Sequence, residues 1–195
     1  GRWSRGLGDV YKRQAQAYAR RALELAPSGR ASRVGAASAL AATGSTEEAE
    51  AIANAMSDKF PQSTLWHGRD LPTVQANIEL WKGNPEKAIE ILRPAKRFEV
   101  SGGAAIYTRG RAFLALKQGG EAAAEFQKIL DHRGLTGLWM EYPAAIVGLA
   151  RAKVLMGDEE GARKSYEEFL ETWKDADPDV PLLLEAKAEY EELQP

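Results

Sequence analysis

Apolar residues between positions 107 and 130, YTRGRAFLALKQGGEAAAEFQKIL, fall on one stripe of each of two short helices, broken at Gln118-Gly119-Gly120. Gly110 and Ala122 put small side chains twelve residues apart, Phe113 and Phe126 are bulky, and Ile129-Leu130 closes the second helix. Small residues let two helices approach closely, and aromatic rings fill the groove that the approach leaves. The pattern recurs along the chain. Alanines stand at 15, 49, 88, 122 and 162, at intervals of 34, 39, 34 and 40 residues. Twelve residues before the last four come Ala37, Ala76, Gly110 and Ala150, and Gly44, Gly83 and Gly157 follow three of these by seven. A lone hairpin of amphipathic helices cannot bury both its faces, so each hairpin predicts a neighbour.

This spacing resembles the tetratricopeptide (TPR) repeat, a helix–turn–helix unit of about 34 residues, with Gly110 at repeat position 8, Ala122 at 20 and Phe126 at 24. The resemblance implies an all-α, TPR-like solenoid wound as a right-handed superhelix. It divides into a half repeat at 15–27, repeats at 30–61, 69–98, 103–134 and 143–176, and a capping helix at 180–194. Local signals agree with this frame. Ser45 with Glu48 forms an S-x-x-E capping box, Asn84-Pro85 reads as an N-cap followed by the first helical position, and Asp158 can cap the helix that carries Ala162, Tyr166 and Phe169. Pro143 suits a helix start, whereas Pro94 should end or kink its helix early. Leu183, Leu184, Ala188 and Tyr190 give the last helix an apolar face to cover the final repeat.

The N-terminus stands apart. Residues 4–14, SRGLGDVYKRQ, resemble the in-frame translation of a transposase adapter used in sequencing libraries. Residues 1–14 are therefore expected to be an artefactual leader, with the natural sequence entering at Ala15. The stretch 15–26 should still form a helix against the next repeat, frayed at its start, and any helix over 2–14 would reflect local propensity. Without residues 1–14 the charge balance is 22 basic against 27 acidic residues, or −5.

Composition narrows the chemistry. The 195 residues are 44% hydrophobic with no cysteine, which excludes disulfides, thiolate metal sites and a cysteine nucleophile. No apolar run approaches the roughly 18 residues of a membrane span, and a net charge of −2 argues against a general nucleic-acid binder. His67 and His132 lie in separate linkers without metal-ligand partners at helical spacing. The acid pairs Glu47-Glu48 and Glu167-Glu168 and the run Asp158-Glu159-Glu160 suit first turns or outer faces. Ser101-Gly102-Gly103 and Gly119-Gly120 follow no strand, so they are not phosphate loops. No catalytic residues, metal or cofactor are expected.

Candidate binding residues come from the concave face, where the TPR resemblance turns positions 2, 5, 9, 12 and 13 of each first helix inward. These include Val34, Ser38 and Val147, with the sharper candidates Thr73, Asn77, Trp81, Tyr107, Arg111 and Arg151. Asn77, Arg111 and Arg151 share position 9 in three successive repeats, a potential polar row. Arginine offers forked donors to a carboxylate, and Tyr or Trp offers flat apolar area, so a protein or peptide ligand is the expected partner. The chaperone-tail carboxylate clamp is not reproduced, because Thr73 stands where it would have Lys. Trp66, Trp139 and Trp173 flank linkers or helix ends and suit packing, although Trp139 and Met140 could fold over the groove.

Three phrases extend the resemblance. Residues 71–94, 124–135 (AEFQKILDHRGL) and 171–194 (ETWKDADPDVPLLLEAKAEYEELQ) are similar to the C-terminal TPR tail of bacterial eukaryotic-like serine/threonine protein kinases. That similarity implies an accessory region that binds a regulator or substrate or self-associates, with a kinase domain upstream of Ala15. It implies no activity for these residues and transfers no binding residue. The expected function is a non-catalytic protein–protein interaction module, cytoplasmic unless an apolar span precedes it. The alternative is the sensory or assembly TPR half of a bacterial transcriptional regulator, or a free-standing TPR scaffold protein.

Overall fold

The computed structural model describes residues 2–132 and 141–194. The last residues of the expected repeat at 103–134, and the expectations for Trp139 and Met140, lie outside them. The chain divides into two compact units, Gly1–Phe98 and Glu99–Pro195. The first holds α1 (Arg2–Leu25), α2 (Arg30–Ala42), α3 (Thr46–Lys59), a π-helical turn (Trp66–Asp70) running into α4 (Leu71–Trp81), and α5 (Pro85–Ile91). A 3-10 stretch, Arg93–Ser101, follows: the helix stops ahead of Pro94, whose ring and missing N–H prevent continuation. The second unit holds α6 (Ala104–Ala115), α7 (Gly119–Asp131), α8 (Glu141–Leu155), α9 (Glu159–Thr172) and α10 (Pro181–Glu192).

Hairpins form because the small residues of the repeat face one another. Ala37, Ala76 and Ala150 on first helices and Ala49, Ala88, Ala122 and Ala162 on second helices are all fully buried. One turn further on, Ala53, Leu92, Phe126 and Tyr166 are buried too. In the first unit α1 packs on α2 and buries Ala19, whereas Ala15, at the small-residue position of the expected half repeat, is only half-buried. In the second, the Phe126 ring is wedged between two helices that expose bare backbone to it. A Cβ on Gly110 (α6) would sit 2.7 Å from the ring, and one on Gly148 (α8) 2.6 Å. Tyr107 leans on the same ring at 5.8 Å.

Four hairpin turns, α2–α3, α4–α5, α6–α7 and α8–α9, share one device. The amides of Ser45, Asn84, Gln118 and Asp158 each donate to the carbonyl five residues earlier, at 2.9, 2.9, 2.9 and 3.0 Å. The residue just before each adopts positive φ: Gly44 at 92°, Gly83 at 81°, Lys117 at 57° and Gly157 at 76°. This is the Schellman C-terminus, which turns the chain through a left-handed residue while satisfying terminal carbonyls. It corrects the expected break at Gln118-Gly119-Gly120. Left-handed geometry falls on Lys117, Gln118 is the N-cap, and the two glycines open α7.

Other cap expectations divide. Asp158 caps α9, its Oδ1 accepting from the Gly161 amide at 2.9 Å. The Ser45–Glu48 box does not form: Ser45 makes no side-chain cap bond, and Glu48 accepts Arg20 of α1 at 2.9 and 2.6 Å. Asn84 sits at the N-cap of α5, but its Nδ2 donates to Glu79 at 2.9 Å instead of capping. Pro143 falls inside the first turn of α8, which opens two residues earlier at Glu141.

The first unit's core gathers Leu40, Met56, Trp66, Val74 and Ile78, with the Trp66 indole N–H donating to Ser57 Oγ at 3.0 Å. In the second, one cluster centres on Phe126, Ile129 and Ile106, another on Tyr166, Phe169 and Leu183, where Trp173 stacks on Phe169 at 5.3 Å. A buried ion cluster also belongs to the second unit. The Arg109 guanidinium, 1% exposed, donates Nη2 to Glu125 at 2.5 Å and to Glu99, while Lys128 reaches Glu125 at 2.8 Å. Burial opposes both charges, yet the bond to Arg109 and then that to Lys128 hold Glu125 below the usual carboxylate range. Burial likewise works against the Arg109 charge, and the Glu125 and Glu99 bonds outweigh it.

Candidate functional site

Of the residues expected to face a groove, three lie on α4 in the first unit. Thr73 and Asn77 are buried, and their polar atoms turn back on their own helix. Thr73 Oγ1 donates to the Arg69 carbonyl at 2.7 Å, and Asn77 Nδ2 donates to the Thr73 carbonyl at 3.0 Å. Trp81 is half exposed and lies across the α2–α3 turn, where a Cβ on Gly44 would come within 2.2 Å of its ring. Lys12 places its ammonium 5.1 Å from the ring centroid, a cation–π contact.

The other three come together in the second unit. Tyr107 and Arg111, one helical turn apart on α6, put the guanidinium 6.0 Å from the ring centroid. Burial raises the Tyr107 pKa, and the positive charges of Arg111 and Arg151 pull against that rise. Arg151, on α8, is already engaged. Its Nε and Nη2 meet both oxygens of Glu189 at 2.9 and 2.7 Å, and Nη2 also reaches Glu185 at 2.8 Å. This bidentate fork is the geometry in which arginine holds a carboxylate best. Partial burial disfavours the Arg151 charge, but Glu189 and then Glu185 more than offset it and raise the pKa. The Tyr166 hydroxyl completes the network, donating to Glu189 Oε2 at 2.6 Å. Burial first, and then that bond, pushes the Tyr166 pKa up.

Glu185 and Glu189 were not among the sequence candidates. Lying 34 and 38 residues from Arg151, they showed no local signal beyond helical spacing on α10. Beside this network is a concavity of about 300 Å³ lined by Leu114, Val154, Leu155 and Leu193, with Arg151, Tyr166, Glu189 and Glu192 supplying its polar atoms.

His67 and His132 are exposed, their ring nitrogens 3.2 and 2.7 Å from the carbonyls of Phe60 and Lys128. Among the described residues no group of three or more His, Cys, Asp or Glu could hold a metal ion, and no helix is long and apolar enough to cross a membrane.

Comparison with known proteins bears on the architecture. Residues 13–68 match a family model described as tetratricopeptide repeat. No curated protein matches the chain. The crystal structure of a thermophilic TPR protein from Thermus thermophilus superposes with a TM-score of 0.62 at 19% identity, covering 98% of this chain and 95% of that one. At that identity the likeness establishes the fold alone. The chain has the all-α, TPR-like architecture of successive helix hairpins.

Proposed function

We propose that this chain is a non-catalytic protein–protein interaction module, and that it forms the C-terminal TPR region of a bacterial serine/threonine protein kinase acting in the cytoplasm. Repeat folds of this kind generally act by presenting extended surfaces to protein ligands. The observation that carries the interaction reading is the concavity of the second unit. It leaves Val154 and Leu155 41% and 43% exposed beside a charged rim, where a stable core would have covered them. The kinase parentage rests on the phrases at 71–94, 124–135 and 171–194.

Sequencing the source DNA upstream of Ala15 tests the parentage. A kinase catalytic-loop motif in frame supports it; a helix-turn-helix domain or an unbroken run of further repeats overturns it. The interaction reading is tested separately, by cross-linking the purified chain in extract of the source cell and identifying its adducts. Adducts no different from those of an unrelated helical protein would refute it.

A further inference from the structure

The two units carry opposite charge. Gly1–Phe98 has 15 lysines and arginines against 10 aspartates and glutamates, a net +5, whereas Glu99–Pro195 has 11 against 18, a net −7. The concavity of the second unit sits within that negative field. Its floor is apolar and open to solvent: Val154 and Leu155 end α8, and Met156 beside them is 57% exposed. Its rim is acidic, because α10 sets Glu185, Glu189 and Glu192 along one face at helical spacing.

The nearby cations do not reverse this balance. Arg151 divides its fork between Glu185 and Glu189. Arg163 gives Nη1 to the Leu193 carbonyl at 3.1 Å and lies 3.8 Å from Glu159. Glu192 has no ion-pair partner among the described residues. An incoming carboxylate would have to displace two resident ones from Arg151, while an incoming ammonium or guanidinium finds an uncommitted carboxylate at once.

From this we infer that the concavity receives a protein segment with one apolar anchor side chain flanked by lysine or arginine, the anchor entering among Leu114, Val154, Leu155 and Leu193 and the cation meeting Glu192. The inference deepens the interaction reading and rests on it. It also reverses the polarity expected from Arg151, since the carboxylates it would have captured from a ligand are supplied by α10. A volume near 300 Å³ is at the low end of the range for ligand pockets, so the site takes a side chain or two and not a whole helix.

Fluorescence anisotropy of the full chain tests the inference with three labelled nine-residue peptides in a Gly/Ser background. One carries a central leucine with two lysines on each side, the second replaces the lysines by glutamate, and the third replaces the leucine by serine. The lysine–leucine peptide should bind with Kd below about 1 mM, weakening as salt rises, and each replacement should weaken it by about tenfold. Glu192→Lys should do the same from the protein side, and Val154→Ser should lower affinity without changing the salt dependence. Equal binding of the glutamate peptide, indifference to both variants, or no binding of the lysine–leucine peptide would each overturn the assignment. If a cross-linked partner still binds Glu192→Lys and Val154→Ser at wild-type affinity, the interaction reading stands and this site falls.

Discussion

Replacing Lys117 by glycine should stabilise the protein. Lys117 is the only non-glycine residue at positive φ among the described residues, at 57°, and it occupies the turn position held by Gly44, Gly83 and Gly157 in the other hairpins. A left-handed conformation costs an L-residue roughly 1–2 kcal/mol through the approach of Cβ to the carbonyl oxygen. Glycine removes that cost but brings back backbone entropy of roughly 0.5–1 kcal/mol in the unfolded chain. The Lys117 side chain is exposed and makes no hydrogen bond or ion pair among the described residues, and its amide bond to the Leu114 carbonyl at 2.9 Å is available to glycine as well, so nothing else is lost. The net gain is about 0.5–1 kcal/mol, or roughly 1–4 °C in Tm for a chain of this length. Urea unfolding followed by circular dichroism measures it, and hydrogen exchange at the α6 and α7 amides locates it.

The glycines calibrate the same scale in the opposite direction. A Cβ at Gly83 or Gly157 meets no atom within 4 Å, so alanine there incurs the conformational cost alone, about 1 kcal/mol. At Gly44 it adds a collision with the Trp81 ring, so Gly44→Ala should cost more than either. A neutral or destabilising Lys117→Gly, alongside an innocuous Gly157→Ala, would refute the reasoning.

Two further outcomes follow from packing and charge in the second unit. Gly148→Ala drives a methyl into the Phe126 ring, which also lies close against Gly110; overpacking of about 1–3 kcal/mol should exceed the helix-propensity gain of about 1 kcal/mol, and adding Phe126→Leu should recover most of the loss in a thermal melt, whereas simple additivity would contradict the wedge. Glu125→Gln leaves Arg109 with Glu99 as its remaining carboxylate and should cost about 3 kcal/mol, the low end for breaking a buried pair. Because the folded-state pKa of Glu125 is depressed, its contribution is fully present above the unfolded value of about 4.3 and is lost as pH falls through the folded value. Urea midpoints between neutral and strongly acid pH should therefore fall less steeply for the variant than for the wild type, and parallel profiles would sink the linkage.

The repeat frame was legible because it is written in local residue size. The alanines at 49, 88, 122 and 162 are buried where the spacing put them, since only a small side chain fits where two helices cross. The turn at 117 was misread because a glycine pair is a strong composition signal, while a lysine forced left-handed by its neighbours carries none. Glu48 matched a capping box in spacing but turned to Arg20, 28 residues away, a partner that no local motif can reveal. The candidate site shows the same division. Repeat position proposed which way Thr73, Asn77 and Arg151 point, but not what meets them. Hydroxyl and amide groups on α4 found backbone carbonyls one turn back, and Arg151 found carboxylates of the last helix.

The wedge of Phe126 bears on how such a chain can change length. Repeat arrays grow and shrink by duplicating or deleting whole hairpins, and this requires that any hairpin fit any neighbour. At the α7–α8 seam the fit is keyed: an aromatic ring on one side demands a residue without a Cβ on the other. A copy of α6–α7 inserted ahead of α8 would have to present its own glycine to the first Phe126, and the equivalent position of α6 is Thr108, itself buried with its hydroxyl bonded to the Ala104 carbonyl at 2.8 Å. The second unit is thus resistant to recombination at its centre, and hairpins can be added there only with a compensating substitution.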